Sequence, residues 1–507
     1  MQFYSGLIES CKTELNFRPF LLRIFTRKGK HRILKVARID PSRRQSSKMN
    51  FIGRTSELNR LKKEFASEEM RMSLIYGRRR VGKSWLVKQA IKESGIKSIY
   101  YECKQVAEAS NVQSICDIVS ESMGLPKLGY TSIEDLLNYV FTISENENLI
   151  FVLDEYPYLR ANVQGMDSIL QALIDKYRET TKLKLVILGS YVDIMKSLLE
   201  ESNPLYGRVD LVIDLKQMDY YESSLFYPHM SDDDKVRIYS VFGGIPYYNK
   251  QVNDRRSVKE NIIELIASPG ARLENEVSMY LNAEISKIVN ANEVFYALSR
   301  GFSRYSDILS QSHVSSSPTL ADVLEKLIKM EVVKKTASIN DEDNKKKAGY
   351  YICDNLSLFY YRYIFKYSSQ LQIMDSEVFY DKYISDDFED IYVPHIFEDI
   401  CRQYLIRQNR LGKITPVIEK IGKYYYDDPK THTNGEFDVV TQDEKGYVFY
   451  KAKFRKKKIS KEVIEEEVRQ VQETGLNCYK YVFFSRAEFT EAETDEIGHI
   501  DLKQIYM

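Results

Sequence analysis

The chain has 507 residues, and its 73 Lys and Arg balance 73 Asp and Glu to no formal net charge. Domains usually run to about 150 residues, so this length predicts three, and a 43% hydrophobic content lets each bury an ordinary core. Charge balance removes bulk attraction to nucleic acid, membranes or acidic substrates and leaves only local patches to argue for them. Six scattered cysteines and six histidines without an HExxH run exclude a disulfide scaffold and a zinc-protease site. The longest apolar runs, LVILG and LIFVL, stop well short of the roughly 20 residues a membrane helix needs, and Lys and Arg interrupt the start before any signal-peptide core. The expectation is a cytoplasmic protein with no membrane partner.

Residues 1–48 carry twelve Lys or Arg and only three acids, Glu9, Glu14 and Asp40. They read as a basic nucleic-acid-binding arm or as an over-extended reading frame whose true start is Met49; an organellar presequence lacks a clean amphipathic stripe. From 49 to 221, the strands RMSLIYG, IKSIYYE, NLIFVLDE and LKLVILGS alternate with helical stretches, the rhythm of a doubly wound parallel sheet. Residues 222–285 read as a polar helical lid broken by GGIP. Three helical segments and two strands over 286–353 have the order of a winged helix-turn-helix. The Tyr- and Phe-rich stretch 354–384 suits a packed helical connector, and 385–507 mixes helices and strands in an α/β pattern.

Between strand MSLIY and helix SWLVKQAIKE, residues Gly77 to Ser84 read GRRRVGKS, a phosphate-loop pattern. The glycines let backbone N–H groups approach phosphate oxygens, Lys83 neutralises the β- and γ-phosphates, and Ser84 offers a hydroxyl to Mg²⁺. The competing reading is a Gly-rich turn with a chance lysine. Strand LIFVL ends in Asp154-Glu155, where Asp154 orients Mg²⁺ and Glu155 polarises the attacking water, unless either carboxylate only caps a strand. The expected nucleotide contacts are Gly77, Arg78, Arg79, Arg80, Val81, Gly82, Lys83, Ser84 and Trp85, with Asp154; ATP and Mg²⁺ are the expected cofactors, and Ser84 and Asp154 the metal ligands.

The box Phe51-Ile52-Gly53-Arg54 through Glu57-Leu58, followed by GRRRVGKS, DEYPYL, LGSYVDIM, PLYGR and GGIPYY, resembles the archaeal-type P-loop ATPases, which sit with the STAND NTPases near the AAA+ branch. The resemblance covers nearly everything after residue 48. It implies an α/β P-loop NTPase core with a helical lid, then a winged helix-turn-helix and a C-terminal α/β restriction-endonuclease-like domain of the PD-(D/E)XK kind. It further implies Ser190 as a polar sensor of the γ-phosphate, Arg208 as an arginine stabilising the transferring phosphate, and Gly244 and Pro246 as lid-motif residues near the base. The duller alternatives are a helix cap for Ser190, a pair with Asp210 for Arg208, and a plain turn for GGIP.

By the same resemblance, Glu398, Glu436, Asp438 and Lys453 stand at nuclease-motif positions, but Lys451 occupies the place of a carboxylate. An ammonium there repels a metal, and pairing of Lys451 with Asp438 is one expectation, so this domain reads as degenerate. The run KAKFRKKKISK forms a basic patch offset by the acidic helix after it. Lys345, Lys346 and Lys347 at the expected wing tip argue for duplex DNA, and Asp341, Glu342 and Asp343 argue against it. The reading is an Mg-dependent ATPase that couples nucleotide state to lid and winged-helix movement, with duplex DNA or an unknown protein as partner. The alternatives are an ATP-dependent DNA-processing nuclease and a slow nucleotide-gated switch that recruits a protein.

Overall fold

The computed structural model describes residues 51–277, 279, 290–342, 348–428 and 433–507, with the backbone alone at 427–428 and 433–434. The basic segment 1–48 and the lysines at 345–347 lie outside the described residues, as does position 343.

The first sheet is built from β1 (Arg71–Tyr76), β2 (Lys97–Glu102), β3 (Leu149–Asp154), β4 (Lys184–Gly189) and β5 (Leu211–Asp214), all parallel in the order β2-β3-β4-β1-β5. Strands β3 and β4 are buried at every residue because helices cover both faces, so their sequences read as continuous apolar runs. The pleat still sorts the side chains. Ile150 and Val152 face one core, whereas Phe151 and Leu153 face the other. Each such side chain contributes roughly 1.5–3 kcal/mol on burial, so β3 is held rigidly just where its acidic end is needed. Sequence reading expected four strands; the fifth, β5, is a short edge strand of LVID.

Helices Tyr220–Ser224, Asp232–Phe242, Pro246–Asn249 and Val258–Leu265 follow. Ser231 caps the second, accepting from the Asp234 N–H, and three aspartates fill its first turn against the helix dipole. Ser257 and Glu260 form a capping box on the last. Helices Ala291–Ser299, Tyr305–Gln311 and Ser317–Lys329 lead into the antiparallel pair β6 (Val333–Thr336) and β7 (Gly349–Ile352), with a further bridge between Arg304 and Gly349.

The connector is more broken than one packed helix. Asn355–Phe359 is α-helical, Tyr360–Ile364 a π-turn and Phe365–Tyr367 a 3₁₀ turn, before helices Ser368–Ile373 and Ser376–Tyr383. A second π-turn, Phe388–Tyr392, runs into helix Val393–Arg410. The final sheet has the order β12-β11-β10-β9-β8, from β8 (Lys420–Asp428), β9 (Thr433–Asp443), β10 (Gly446–Lys453), β11 (Cys478–Ser485) and β12 (Ile497–Asp501). Strands β8, β9 and β10 are antiparallel neighbours, and β10, β11 and β12 are parallel, with helix Lys461–Glu473 as the crossover.

These regions interlock. The segment after β6 docks on β8: Ile339 N–H donates to the Lys423 carbonyl at 2.9 Å, and Asn340 exchanges side-chain hydrogen bonds with Tyr425. Helix Leu502–Tyr506 returns to the helices after β5, where Tyr220 Oη donates to the Ile505 carbonyl at 2.8 Å and its ring meets Tyr506 at 5.5 Å. Among the described residues, no helix is long and apolar enough to cross a membrane.

Candidate functional site

The phosphate loop joins β1 to helix Lys83–Ser94. Gly77 has φ 151°, and a Cβ there would sit 2.2 Å from the Leu215 carbonyl oxygen, so no other residue fits. Gly82 has φ 101° and turns the chain into the helix. Beneath the loop, Arg54 is buried and itself left-handed at φ 58°. Its guanidinium donates to the Val81 carbonyl at 3.4 Å and to that of Lys216, and its N–H donates to Glu222 at 2.7 Å. The FIGR box therefore acts as the floor of the loop.

Because β4 lies between β1 and β3, its end stands between the loop and the acidic end of β3. Lys83 Nζ donates to the carbonyls of Gly77 at 2.8 Å and Arg78 at 3.1 Å, and shares a 2.8 Å contact with Ser190 Oγ. Ser190 Oγ in turn donates to Glu155 Oε1 at 2.6 Å, and its N–H reaches Glu155 Oε2 at 3.2 Å. Ser190 caps no helix; Tyr191 holds that position. Glu155 is left-handed at φ 52°, and its N–H donates to Asp154 Oδ1 at 2.9 Å. Holding a non-glycine residue there costs on the order of 1 kcal/mol, a strain that collects at functional sites.

Ser84 Oγ donates to Asp154 Oδ2 at 2.7 Å, and Tyr100 Oη donates to the same oxygen at 2.5 Å. Burial, and then the Asp154 charge, push the Tyr100 phenol well above its ordinary value and keep it a donor. Burial and the same acidic neighbours raise the Cys103 thiol, which leaves it inert beside the site. Sequence reasoning missed Tyr100. The signal was present, because KSIYYE ends level with LIFVLDE once β2 and β3 are paired.

The three loop arginines each reach a different neighbour. Arg78 lies 3.8 Å from the buried Asp354 carboxylate just after β7; Arg79 donates to Tyr191 Oη at 3.2 Å; Arg80 pairs with Glu276 and covers the Tyr247 ring at 4.2 Å. Pro246 starts its helix against the loop, its Cγ 3.8 Å from where a Gly82 Cβ would stand, and the Gly244 carbonyl accepts from the Met218 N–H at 2.8 Å. Val81 is buried, while Trp85 is 55% exposed with the Lys250 ammonium 5.8 Å from its ring.

Arg208 is placed differently from the expectation. Its guanidinium holds Asp175 through two bonds of 2.8 and 2.7 Å and donates to the carbonyls of Pro204 and Tyr206, so it is anchored to helix Met166–Tyr177 rather than to the loop. Asp210 is not its partner, being taken by Arg178 and the Met72 N–H.

In the C-terminal sheet, Lys423 holds Glu436 at 2.5 Å and Asp438 at 3.4 Å, while Glu467 takes Lys453 at 2.5 Å and Lys451 at 3.4 Å. The expected Lys451–Asp438 pair is thus replaced by two separate ones. Glu398 faces His395 at 3.4 Å. In the basic run, Lys458 pairs with Glu488 and Lys461 with Glu465. Among the described residues, no group of three acids, histidines or cysteines converges as a metal site.

Residues 51–252 match a family described as an ATPase domain predominantly from Archaea. This region of the chain is therefore similar to archaeal ATPase domains. Residues 360–469 match a second family, of archaeal and bacterial proteins of unknown function. An uncharacterized protein of Methanocaldococcus jannaschii is 27% identical over 435 residues, covering 85% of this chain and 94% of its own. Among solved structures, a Walker-type ATPase of Pyrococcus abyssi is similar at a TM-score of 0.47 and 19% identity, over 62% of this chain and 96% of that one. The ORC2 protein of Aeropyrum pernix follows at 0.40 and 13%, over 64% and 96%. The ATPase domain match spans the loop, Asp154, Glu155, Ser190 and Pro246.

Proposed function

We infer that the ATPase domain binds Mg-ATP, hydrolyses it, and passes its nucleotide state to the lid and to the three-helix module that ends in β6 and β7. The observation that carries this is the hydrogen-bonded chain Lys83–Ser190–Glu155, beside the pair Ser84–Asp154. Lys83 meets the β- and γ-phosphates, and the loop N–H groups surround them. Ser84 and Asp154 present hard oxygen donors on neighbouring elements. That set fits Mg²⁺, which prefers one or two protein ligands together with phosphate and water. When bound, the metal neutralises charge on the phosphate oxygens.

Glu155 takes the water proton, and Ser190 sets its direction. A γ-phosphate that recruits Lys83 loosens the Lys83–Ser190 contact and frees Glu155 to turn toward the water. Arg78 and Arg80 supply the outward coupling, since phosphate at the loop competes for them with Asp354 and Glu276. The three-helix module, read as a winged helix, is further tied to the core by Glu331, which pairs with Lys196 at 2.7 Å and Lys216 at 2.6 Å.

The geometry favours a protein-directed output over duplex DNA. On helix Ser317–Lys329, Lys326 pairs with Asp322 and Lys329 with Glu325, so the face cancels its own field, and the segment after β6 is occupied by β8. Steady-state phosphate release from ATP, with and without duplex DNA and with a Lys83→Ala control, tests the reading. Lys83-dependent release that is indifferent to DNA supports it. Salt-sensitive stimulation by DNA restores the winged helix as a reader, and tight binding without release leaves only a slow switch.

A further inference from the structure

The tyrosine-rich connector builds a second cleft that shares no residue with the phosphate loop. It lies between helix Ala291–Ser299 and the broken helices after residue 359, and its volume is about 380 Å³. That is room for one small planar ligand. Its walls are aromatic. Tyr367 and Tyr383 stack at 4.4 Å with a 28° tilt, and Tyr296 lines the cleft with them. Its rim is cationic. Arg300 and Lys366 are exposed and, among the described residues, neither is paired with a carboxylate.

The floor is an ion pair held from two sides. Arg362 donates Nε and a terminal N–H to Asp387 at 2.6 and 2.7 Å, and Tyr363 Oη adds a 2.6 Å bond. Asp387 Oδ1 accepts only one of these bonds, and its side chain is still 36% exposed, so it can accept another. Both Arg362 and Tyr363 sit on the π-turn Tyr360–Ile364, and Asp387 immediately precedes the π-turn Phe388–Tyr392. Such turns interrupt a helix at a cost and gather at functional sites.

These features select a ligand. An acyl chain would strand the Arg362–Asp387 pair against hydrocarbon. A bare polyanion would meet Arg300 and Lys366 but leave the tyrosine faces and the remaining acceptor capacity of Asp387 Oδ1 unused. What satisfies the whole cleft is a flat ring with N–H donors at one end and a negative charge at the other. We propose that this cleft binds one nucleotide unit, its base against the tyrosines with an N–H edge toward Asp387, and its phosphate on Arg300 and Lys366. The unit is either a free mononucleotide or one nucleotide of a single strand, and this proposal stands apart from the reading of the phosphate loop.

The test uses the full chain with Lys83→Ala, which removes the loop lysine from the comparison. AMP and GMP are titrated by calorimetry, a labelled ten-nucleotide oligodeoxyadenylate by fluorescence anisotropy, and polyphosphate serves as the phosphate-only probe. Tyr367→Leu is expected to weaken binding roughly tenfold through lost stacking. Arg300→Ala and Lys366→Ala each lower the salt slope of strand binding by about 0.7. If mononucleotides respond to these variants, the ligand is a free nucleotide; if only the strand does, it is a single strand. The proposal is overturned if neither probe binds, if the three variants leave binding unchanged, or if polyphosphate binds as well as the strand. In a chain with Lys83 intact, Arg300→Ala leaves ATP phosphate release unchanged, so failure here and failure at the phosphate loop are separable.

Discussion

The two five-stranded sheets each gather lysines and carboxylates on neighbouring strands, in different settings. At the phosphate loop, Lys83 is bonded to two carbonyls and a hydroxyl, while Asp154 and Glu155 accept from hydroxyls and N–H groups. There the strand-end carboxylates are held by hydroxyls and N–H groups, while Arg78 and Arg80 lie against Asp354 and Glu276. In the C-terminal sheet, Lys423 is shared by Glu436 and Asp438, and Glu467 by Lys451 and Lys453. The same side chains have neutralised one another. The two clusters hold similar residue types in different settings: ion pairs dominate in the C-terminal sheet, and hydrogen bonds to hydroxyls and N–H groups dominate around Asp154 and Glu155.

Five experiments can break or sharpen that contrast. Lys83→Ala should lower ATP phosphate release by a factor of about 100 or more, the usual loss when one preorganised donor at a developing charge is removed. Glu155→Gln should cost roughly 10²–10⁴ in turnover while nucleotide binding persists, seen as slow phosphate release with unchanged equilibrium affinity.

Lys184 gives a pH test of the core. It is buried at the start of β4 and its amine is pushed down to about 8 by burial, so the folded protein gives up this proton more readily than the unfolded chain. Stability should therefore rise as pH climbs from 8 toward 10.5, by a few kcal/mol at most, and Lys184→Met should lose that rise in denaturant titrations at a series of pH values. Asp354→Ala removes both the Arg78 contact and the helix cap on the Ser357 N–H, and should cost about 1–2 kcal/mol in chemical denaturation. Last, Asp438→Ala should shift stability by less than about 1 kcal/mol, as expected for a half-exposed pair. Manganese binding to the parent chain that vanished in this variant would erase the contrast between the two sheets.

Much of the site was legible because its signals are local. GRRRVGKS, the acidic end of LIFVLDE and the serine after LKLVILG need only a strand and a turn to be placed. The short edge strands β5 and β12 were not, since LVID and IGHID lack the length for a period to emerge, and β8, KIGKYYYDD, breaks the alternation of a half-buried strand. The floor role of Arg54 and the contact of Arg78 with Asp354 bring together residues 162 and 276 positions apart. No periodicity reports such pairings. The partner of Arg208 was hidden for the same reason: its neighbour in sequence, Asp210, was the visible one, and the one it holds, Asp175, lies on helix Met166–Tyr177.

The return of helix Leu502–Tyr506 to Tyr220 has a consequence for biosynthesis. On a ribosome, the parallel sheet has all five strands once residue 214 has emerged, and it can fold early. The helices behind it cannot finish, because the partner that covers Tyr220 is made 285 residues later. Until then that aromatic face is exposed to whatever lies nearby. A nascent chain stalled before residue 502 should therefore be the form that chaperones hold, and the last helix the piece whose arrival releases it.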